Sequence, residues 1–394
     1  MKEFLEQAKR LERFMVTSRR FLHQHGEVGC ELPMTVSFVK EKLKEMGLEP
    51  REVGQSGILT EIIGEKPGKV ILLRADMDAL PMEENNSLSF RTQTNAAHTC
   101  GHDIHTSMLL GAAKILFENR STLCGTVKLI FQPGEEIGVG AKQMIEAGVL
   151  ESPRVDAAFG MHVMFEWNSP AFAYGKGYTT SFLDEFEIVI KGEGCHGAMP
   201  HLGIDPINVG FHIYSAYQAL VAREMPPKET ASLTIGRFTS GTRSNVMPDQ
   251  AVMEGTMRTY NRELREKMLK RLVDVAKQCG EMFHASVEFR WLSNIPAIYS
   301  NPELSEEFAE CIQEYVGDYI KSSECTMTFS EDFGFIAEKV PSSFFMVGCK
   351  VDGCDAQHHN PNVLFDESVL PYGAAAYAGC AYGWLKNHSV VKSL

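Results

Sequence analysis

The sequence predicts an α/β protein interrupted by a smaller α+β sandwich, and three observations carry that expectation. At 394 residues the chain exceeds the size at which single hydrophobic cores stop growing, so two domains are expected. Short apolar runs of the kind that form buried parallel strands alternate with stretches of helical period, and polar clusters follow the strands. From residue 182 to 292 the pattern changes to strand-like alternation around two helices.

Apolar positions recur at helical spacing over 4–24 (Phe4, Leu5, Leu11, Phe14, Met15, Phe21, Leu22) and 34–46 (Val36, Val39, Leu43, Met46), with Gly47 as C-cap. Val70–Leu73 reads as a strand, and Asp76 and Asp78 stand just beyond it. Ile104–Phe117 gathers Ile104, Met108, Leu109, Ile115 and Leu116 on one helical face, with a Cys/His loop at its entry. Val127–Phe131, Val155–Phe159 and Ser343–Val347 are further strands. After them come the pair Glu135–Glu136, then His162, where the strand from Val155 is expected to end, then His358–His359. Polar chemistry in open α/β sheets gathers at the carboxyl ends of strands, which is where Asp78, the glutamate pair and His162 fall.

The middle segment opens with Phe186, Ile188 and Ile190 alternating with Glu187, Val189 and Lys191. A helix over Pro206–Arg223 follows, then strands near Ser232–Phe238 and Ala251–Thr259. A second helix starts after the N-cap Asn261 and runs to about Gly280, and Val287–Trp291 closes the segment. That order describes an insert at 182–292 within a main domain of 1–181 and 293–394. Helix resumes at Pro302, in the first helical position after Asn301.

A formal net charge of −13 without a basic block excludes nucleic acid and anionic membranes as partners by bulk electrostatics. Ten scattered cysteines, with no CxxC, read as reduced thiols of a cytoplasmic protein. The charged, amphipathic N-terminus does not match a signal peptide, and no run approaches the ~18 apolar residues that span a bilayer.

The chemistry concentrates at His98–His105 (HTCGHDIH), with one thiol, three imidazoles and a carboxylate. Thiolate sulfur and histidine nitrogen are the donors that zinc, a borderline-soft ion, prefers. Cys100 stands two residues from His102, in a loop before a helix N-terminus, a position that favours the thiolate. In the Glu135–Glu136 pair, consecutive side chains on an extended segment point apart, so one can grip a metal while the other faces substrate. Together with His162 and the His358–His359 pair, these residues point to a metal hydrolase.

Cys30, Cys124, Cys279, Cys311, Cys325 and Cys380 read as core. Cys349, Cys354, His358 and His359 could form a separate structural zinc knot, although their spacing fits no common finger. Gly192–Gly197 matches GxGxxG, but Pro200 follows and no acidic residue lies about twenty positions on, so the dinucleotide reading is rejected. Neither HExxH nor GxSxG occurs. Cys100 as a catalytic nucleophile and a non-catalytic metal protein are the remaining rivals; a free Glu135 argues against the second.

Nine stretches then line up in order: Leu73–Pro81 (LRADMDALP), Cys100–His105 (CGHDIH), Phe131–Glu136 (FQPGEE), Gly160–His162 (GMH), His196–His201 (HGAMPH), Asn245–Asp249 (NVMPD), Gly255–Thr259 (GTMRT), Ser330–Phe333 (SEDF) and His359–Pro361 (HNP). Together they resemble the amidohydrolase branch of the aminoacylase/carboxypeptidase metallopeptidase superfamily, which includes hippurate hydrolases, N-acetyl-diaminopimelate deacetylases and plant auxin–amino-acid conjugate hydrolases. One local departure is Gly26 in Arg20–Glu27 (RFLHQHGE), where the family pattern has proline.

The resemblance implies a di-metal exopeptidase-like catalytic domain whose insert is a lid and dimerisation domain. It implies two divalent metal ions per chain, zinc foremost, with manganese, cobalt and nickel as alternatives. Cys100 matches the bridging ligand, with Glu136 and His359 completing one metal site and His102 and His162 the other. The His-x-Pro pattern favours His359 over His358. Glu135 matches the general base and Asp78 an orienting aspartate. His196 matches a lid histidine that serves the active site of the other subunit in a homodimer. Asn245 and Arg258 match lid residues that contact substrate, Arg258 being suited to a carboxylate. The implied substrate is an N-acyl amino acid, with a dipeptide as the alternative.

Overall fold

The computed structural model describes residues 3–389, and the chain divides into two compact units. The first comprises residues up to Thr179, Ile298–Thr326 and those from Glu331 on; the second comprises Thr180–Ala297 and Met327–Ser330. Residues 1–2 and 390–394 of the expected main domain lie outside the described residues.

Three helices open the first unit: α1 (Glu3–Arg10), α2 (Glu12–Gln24) and α3 (Pro33–Glu45). The helical run expected over 4–24 breaks at Leu11, because its halves serve different partners. Phe4 on α1 stacks on Tyr315, whereas the Met15 sulfur of α2 lies where a side chain on Gly111 would have to go. Next come β1 (Arg51–Val53), β2 (Gly57–Ile63), β3 (Lys66–Asp76), α4 (His102–Glu118), β4 (Cys124–Gln132), α5 (Gly140–Glu146), β5 (Ala157–Asn168), β6 (Phe172–Tyr174) and β7 (Gly177–Tyr178). The second unit holds β8 (Phe182–Lys191), β9 (Cys195–His196), α6 (Pro206–Glu224), β10 (Ala231–Ser240), β11 (Val246–Met247), β12 (Gln250–Thr259), α7 (Arg262–Met282) and β13 (Ser286–Ile295). The chain returns to the first unit with β14 (Tyr299–Ser300), α8 (Pro302–Tyr315), β15 (Ile320–Ser322), α9 (Gly334–Ala337), β16 (Ser342–Lys350) and α10 (Leu370–Asn387).

The first unit is built on a mixed sheet in the order β1-β2-β4-β3-β5-β16-β14-β7. Its centre, β4-β3-β5-β16, is parallel, and β1 and β2 join antiparallel at one side. The central strands are buried on both faces, which explains their continuous apolar sequence. Strand β5 does not end at His162 but continues to Asn168. Pairing with β3 stops at Gly160, whereas β16 keeps hydrogen-bonding out to Asn168, so His162 is an interior strand residue.

Helix α10 runs through the core with Gly373, Ala374, Ala375, Ala376 and Ala378 fully or nearly fully buried. A Cβ on Gly373 would stand 1.9 Å from the Met108 sulfur of α4, so only glycine allows this approach. In the second unit the sheet β10-β12-β8-β13 is antiparallel, and Phe186, Ile188 and Ile190 of β8 are buried together with Val209, Ile213 and Tyr217 of α6 and Met268 and Leu272 of α7. Each such side chain contributes about 1.5–3 kcal/mol by leaving water. The side chains of Asn261 and Asn301 cap α7 and α8 by accepting from the amides of Leu264 and Leu304. No helix among the described residues is long and apolar enough to cross a membrane.

Candidate active site

Strand β3 delivers Asp76 at its last residue and Asp78 two residues on; β4 ends one residue before Pro133 and the glutamate loop. Gly101 adopts φ +90° and precedes α4, a left-handed turn that brings Cys100 and His102 onto the same site; a Cβ there would meet Val163 at 2.5 Å. Several clusters of possible metal donors result, among them Asp76–His102–His105 and His102–Glu135–Glu136, and two of them share Cys100. Cys100, His102 and His162 form one, and Cys100, Glu136 and His359 the other, the donor atoms within each lying inside 4.8 Å of one another. Both sets use the sulfur of Cys100.

Ring nitrogens sort the histidines. His102 Nδ1 donates to the Asp78 carbonyl at 2.8 Å, and its buried Nε2 has no hydrogen-bond partner. His162 Nδ1 donates to the Val163 carbonyl at 2.7 Å, with Nε2 3.4 Å from the Cys100 sulfur. Burial, reinforced by His105 and His358, keeps the pKa of His162 low and its ring neutral, the form that coordinates metal. His105 is committed on both sides: Nδ1 donates to Asp76 at 2.6 Å and Nε2 accepts from the Val163 amide at 2.9 Å. It therefore positions strand β5 rather than offering a ligand. His98 and His358 are also close, but His98 is buried beside Arg19 and His23, and neither belongs to a donor set. His359, the half-exposed member, has φ +61° and is held by its amide to the Thr99 carbonyl, with Nε2 3.4 Å from Glu136.

The carboxylates divide in the same way. Asp78 accepts the amides of Glu135 and Glu136 on its two oxygens, at 3.1 and 3.2 Å, so it fixes the loop that carries both. Glu136 Oε1 is buried without a partner, and its pKa is low because His359 and His102 outweigh burial. Burial and then the Glu331 and Glu136 carboxylates push Glu135 well up. His102 is held up at about 10, because Asp76, Asp78 and Glu136 outweigh its burial.

The Cys100 thiol departs from the sequence expectation. Burial, then Glu136 and Glu135, raise its pKa well above the ordinary value, so the helix N-terminus does not by itself yield a thiolate. A thiolate here needs a cation beside it. Unpartnered nitrogen and oxygen atoms, a thiol among carboxylates and a surplus of buried negative charge fit divalent metal ions.

Behind this cluster lies a buried ion network whose pairing the sequence by itself does not assign. Buried Arg74 donates from Nη1 to Asp76 (2.7 Å), from Nη2 to Glu331 (2.8 Å) and Asp332 (3.0 Å), and from Nε to Gln132 (2.9 Å). Asp103, within the Cys/His run, faces away from the donor sets and accepts from Arg19 and His23, pinning α2 to α4. An arginine directly after four apolar strand residues was the available signal for a buried ion network.

His196, Asn245 and Arg258 belong to the second unit. His196 and Asn245 adjoin through the ribbon β9–β11, where the Gly197 amide donates to the Asn245 carbonyl. His196 is exposed, and its Nδ1 accepts from the Ala198 amide at 3.1 Å, leaving Nε2–H as a donor in the neutral ring. Arg258 on β12 meets the hydroxyls of Ser330 (3.0 Å) and Ser181 (3.5 Å) and, among the described residues, forms no ion pair.

Two donor triads sharing one sulfur, beside the central parallel strands, form a candidate metal centre of the kind a metal-dependent hydrolase needs. Comparison with known proteins gives the family. The profile of peptidase family M20/M25/M40 matches residues 72–382. Thermostable carboxypeptidase 1 of Saccharolobus solfataricus is 36% identical over 381 residues, covering 94% of this chain and 95% of its own. N-acetyl-L-cysteine deacetylase of Bacillus subtilis is 36% identical over 367 residues, covering 91% and 85%. Among solved structures, the Bacillus subtilis YXEP protein, described as a dinuclear metal binding peptidase from the M20 family, superposes with a TM-score of 0.83 at 33% identity, covering 96% and 99%. The chain belongs to peptidase family M20/M25/M40 and is a hydrolase.

Proposed function

We propose that this protein is an amidohydrolase that cleaves N-acyl-L-amino acids to a carboxylic acid and a free amino acid, using two divalent metal ions, zinc foremost. The observation that carries the reading is the shared Cys100 sulfur between the triads Cys100–His102–His162 and Cys100–Glu136–His359, with Glu135 beside them. Relatives named for deacetylation of N-acetylcysteine support it.

Cys100 would bridge, with Glu136 and His359 on one ion and His102 and His162 on the other. When bound, the ions would polarise the amide carbonyl and acidify a water. Glu135 takes the proton of the attacking water and returns one to the leaving amine. Asp78 orients the glutamate loop and His102. Nε2–H of His196, from a second copy of the chain in a homodimer, donates to the developing oxyanion. Arg258, which meets the hydroxyls of Ser330 and Ser181 and forms no ion pair among the described residues, receives the carboxylate of the substrate, and Asn245 contacts the acyl amino acid beside it. The enzyme works in the cytoplasm, as its scattered cysteines, with no CxxC motif, favour.

Profiling N-acetyl and N-benzoyl amino acids beside dipeptides tests the substrate class. Faster turnover of dipeptides would favour the second reading, a carboxypeptidase or dipeptidase, which the 36% identity to a thermostable carboxypeptidase supports. Arg258→Ala is expected to lose most of the preference for an acyl amino acid over its neutral amide, since a charge-assisted contact contributes roughly 1.5–3 kcal/mol. Unchanged selectivity in that comparison would mean the carboxylate is read elsewhere.

His196→Ala is expected to lower turnover by ~10²–10³-fold. Mixing it with Glu135→Ala under subunit exchange should recover activity towards about a quarter of wild-type sites, the fraction expected for random pairing in a two-fold dimer. No recovery, with exchange demonstrated, would remove His196 from action across subunits.

A further inference from the structure

The loop Pro133–Val139 carries Glu135 and Glu136, and it is held at its tip and at its base. At the tip, the two oxygens of Asp78 take the amides of Glu135 and Glu136. At the base stands Asp332, fully buried, from the motif just before α9. Its Oδ1 accepts from the side chain of Gln132, the residue before the loop, at 2.6 Å. Its Oδ2 accepts from the backbone amide of Ala141, just after the loop, at 2.9 Å. One carboxylate therefore joins the two ends of the loop.

The remaining contacts leave that carboxylate little freedom. Arg74 Nη2 donates to Oδ1 of Asp332 at 3.0 Å and to Glu331 at 2.8 Å, and Arg74 Nε donates to Gln132 at 2.9 Å. Within the loop, the Val139 and Gly140 amides both donate to the Gly134 carbonyl. Its ends meet so closely that a Cβ on Gly140 would stand 1.6 Å from the Pro133 carbonyl oxygen. The loop ends are thus closed by backbone contacts as well as by Asp332. Glu135, Glu331 and Asp332 offer oxygens within 4.8 Å of one another, so the base lies close to the carboxylate it positions.

We propose that Asp332 is a positioning residue for Glu135, closing the base of the catalytic loop as Asp78 closes its tip. This rests on the reading of Glu135 as general base. Misplacement by about 1 Å of a reacting group can cost about 10²-fold in rate. Asp332→Asn keeps the shape and an oxygen for Gln132 and Arg74, but its amide nitrogen cannot accept from Ala141.

The full-length enzyme carries the test, with the N-acyl amino acid that profiling shows to be turned over fastest. Asp332→Asn should lower kcat about 10–100-fold with KM within about twofold. Metal content should be unchanged, and backbone hydrogen exchange across 134–141 should be markedly faster. Gln132→Met removes the other tie and leaves the Asp332 carboxyl group and its bond to the Ala141 amide in place; a smaller loss of the same kind assigns the effect to the position of the loop. It also decides the matter by the same readouts should Asp332→Asn not fold. A folded variant with wild-type kcat, or with unchanged exchange across the loop, overturns the proposal. Should Glu135→Gln keep wild-type activity, the general-base reading falls by itself, and the exchange measurement still decides whether Asp332 anchors the loop.

Discussion

Glu135→Gln is expected to lower kcat by about 10²–10⁴-fold, the usual contribution of a general base, while the fold and both metal ions are retained. Glu136→Gln is expected to fail differently, by losing metal. The two side chains leave a backbone pinned at both amides by Asp78, so neither substitution relocates the other. Glu136 presents a buried, unpartnered Oε1 to the donor set containing Cys100 and His359. Glu135 lies against Glu331 and Asp332, where burial and like charge raise its proton affinity. A carboxylate in that setting suits proton transfer better than permanent ligation. Elemental analysis beside steady-state kinetics separates the two variants; an exchange of their phenotypes would reverse the assignment within the pair.

The second large effect is expected from metal removal. Exhaustive chelation should abolish turnover, and returning a divalent ion should restore it, with about two ions bound per chain at full activity, one for each donor set that uses Cys100. Cys100→Ala should have the widest consequence of any single ligand change, because both donor sets use its sulfur. The thiol environment sharpens this expectation: buried next to Glu136 and Glu135, it is disfavoured as a bare thiolate, so cation and thiolate stabilise one another. If Cys100 were instead a covalent nucleophile, alkylating agents would inactivate the enzyme and chelators would not. Full activity in protein shown to be metal-free would sink the metal reading.

Much of the framework was legible in the chain itself. Strands β3, β4 and β16 announce themselves as apolar runs, and Asn261 and Asn301 announce α7 and α8 as caps. Other elements left no signal. Helix α10 carries small and apolar residues on every side and so shows no amphipathic period, because it is buried all round. Strand β5 runs past His162, where its sequence suggests an end, because local sequence does not reveal how far a neighbouring strand extends.

The local order of residues pointed to the side chains proposed to carry chemistry: Cys100, His102, Glu135, Glu136, His162 and His359 stand near strand ends, at turns or in short His-, Cys- and Glu-rich motifs. Tertiary structure alone decided their partners. It placed Cys100 in both donor sets, occupied both nitrogens of His105, and left Nε2 of His102 without a hydrogen bond among carboxylates at 3.8–3.9 Å, although the three residues lie within six positions of one another. It also brought Asp332 from some two hundred positions downstream to the base of the Glu135 loop, around a single buried guanidinium. The physical reason is one of range. Helical period, capping and turn chemistry act over a few residues, whereas the cost of burying charge is settled only by whichever counter-charge the completed fold places within hydrogen-bonding distance.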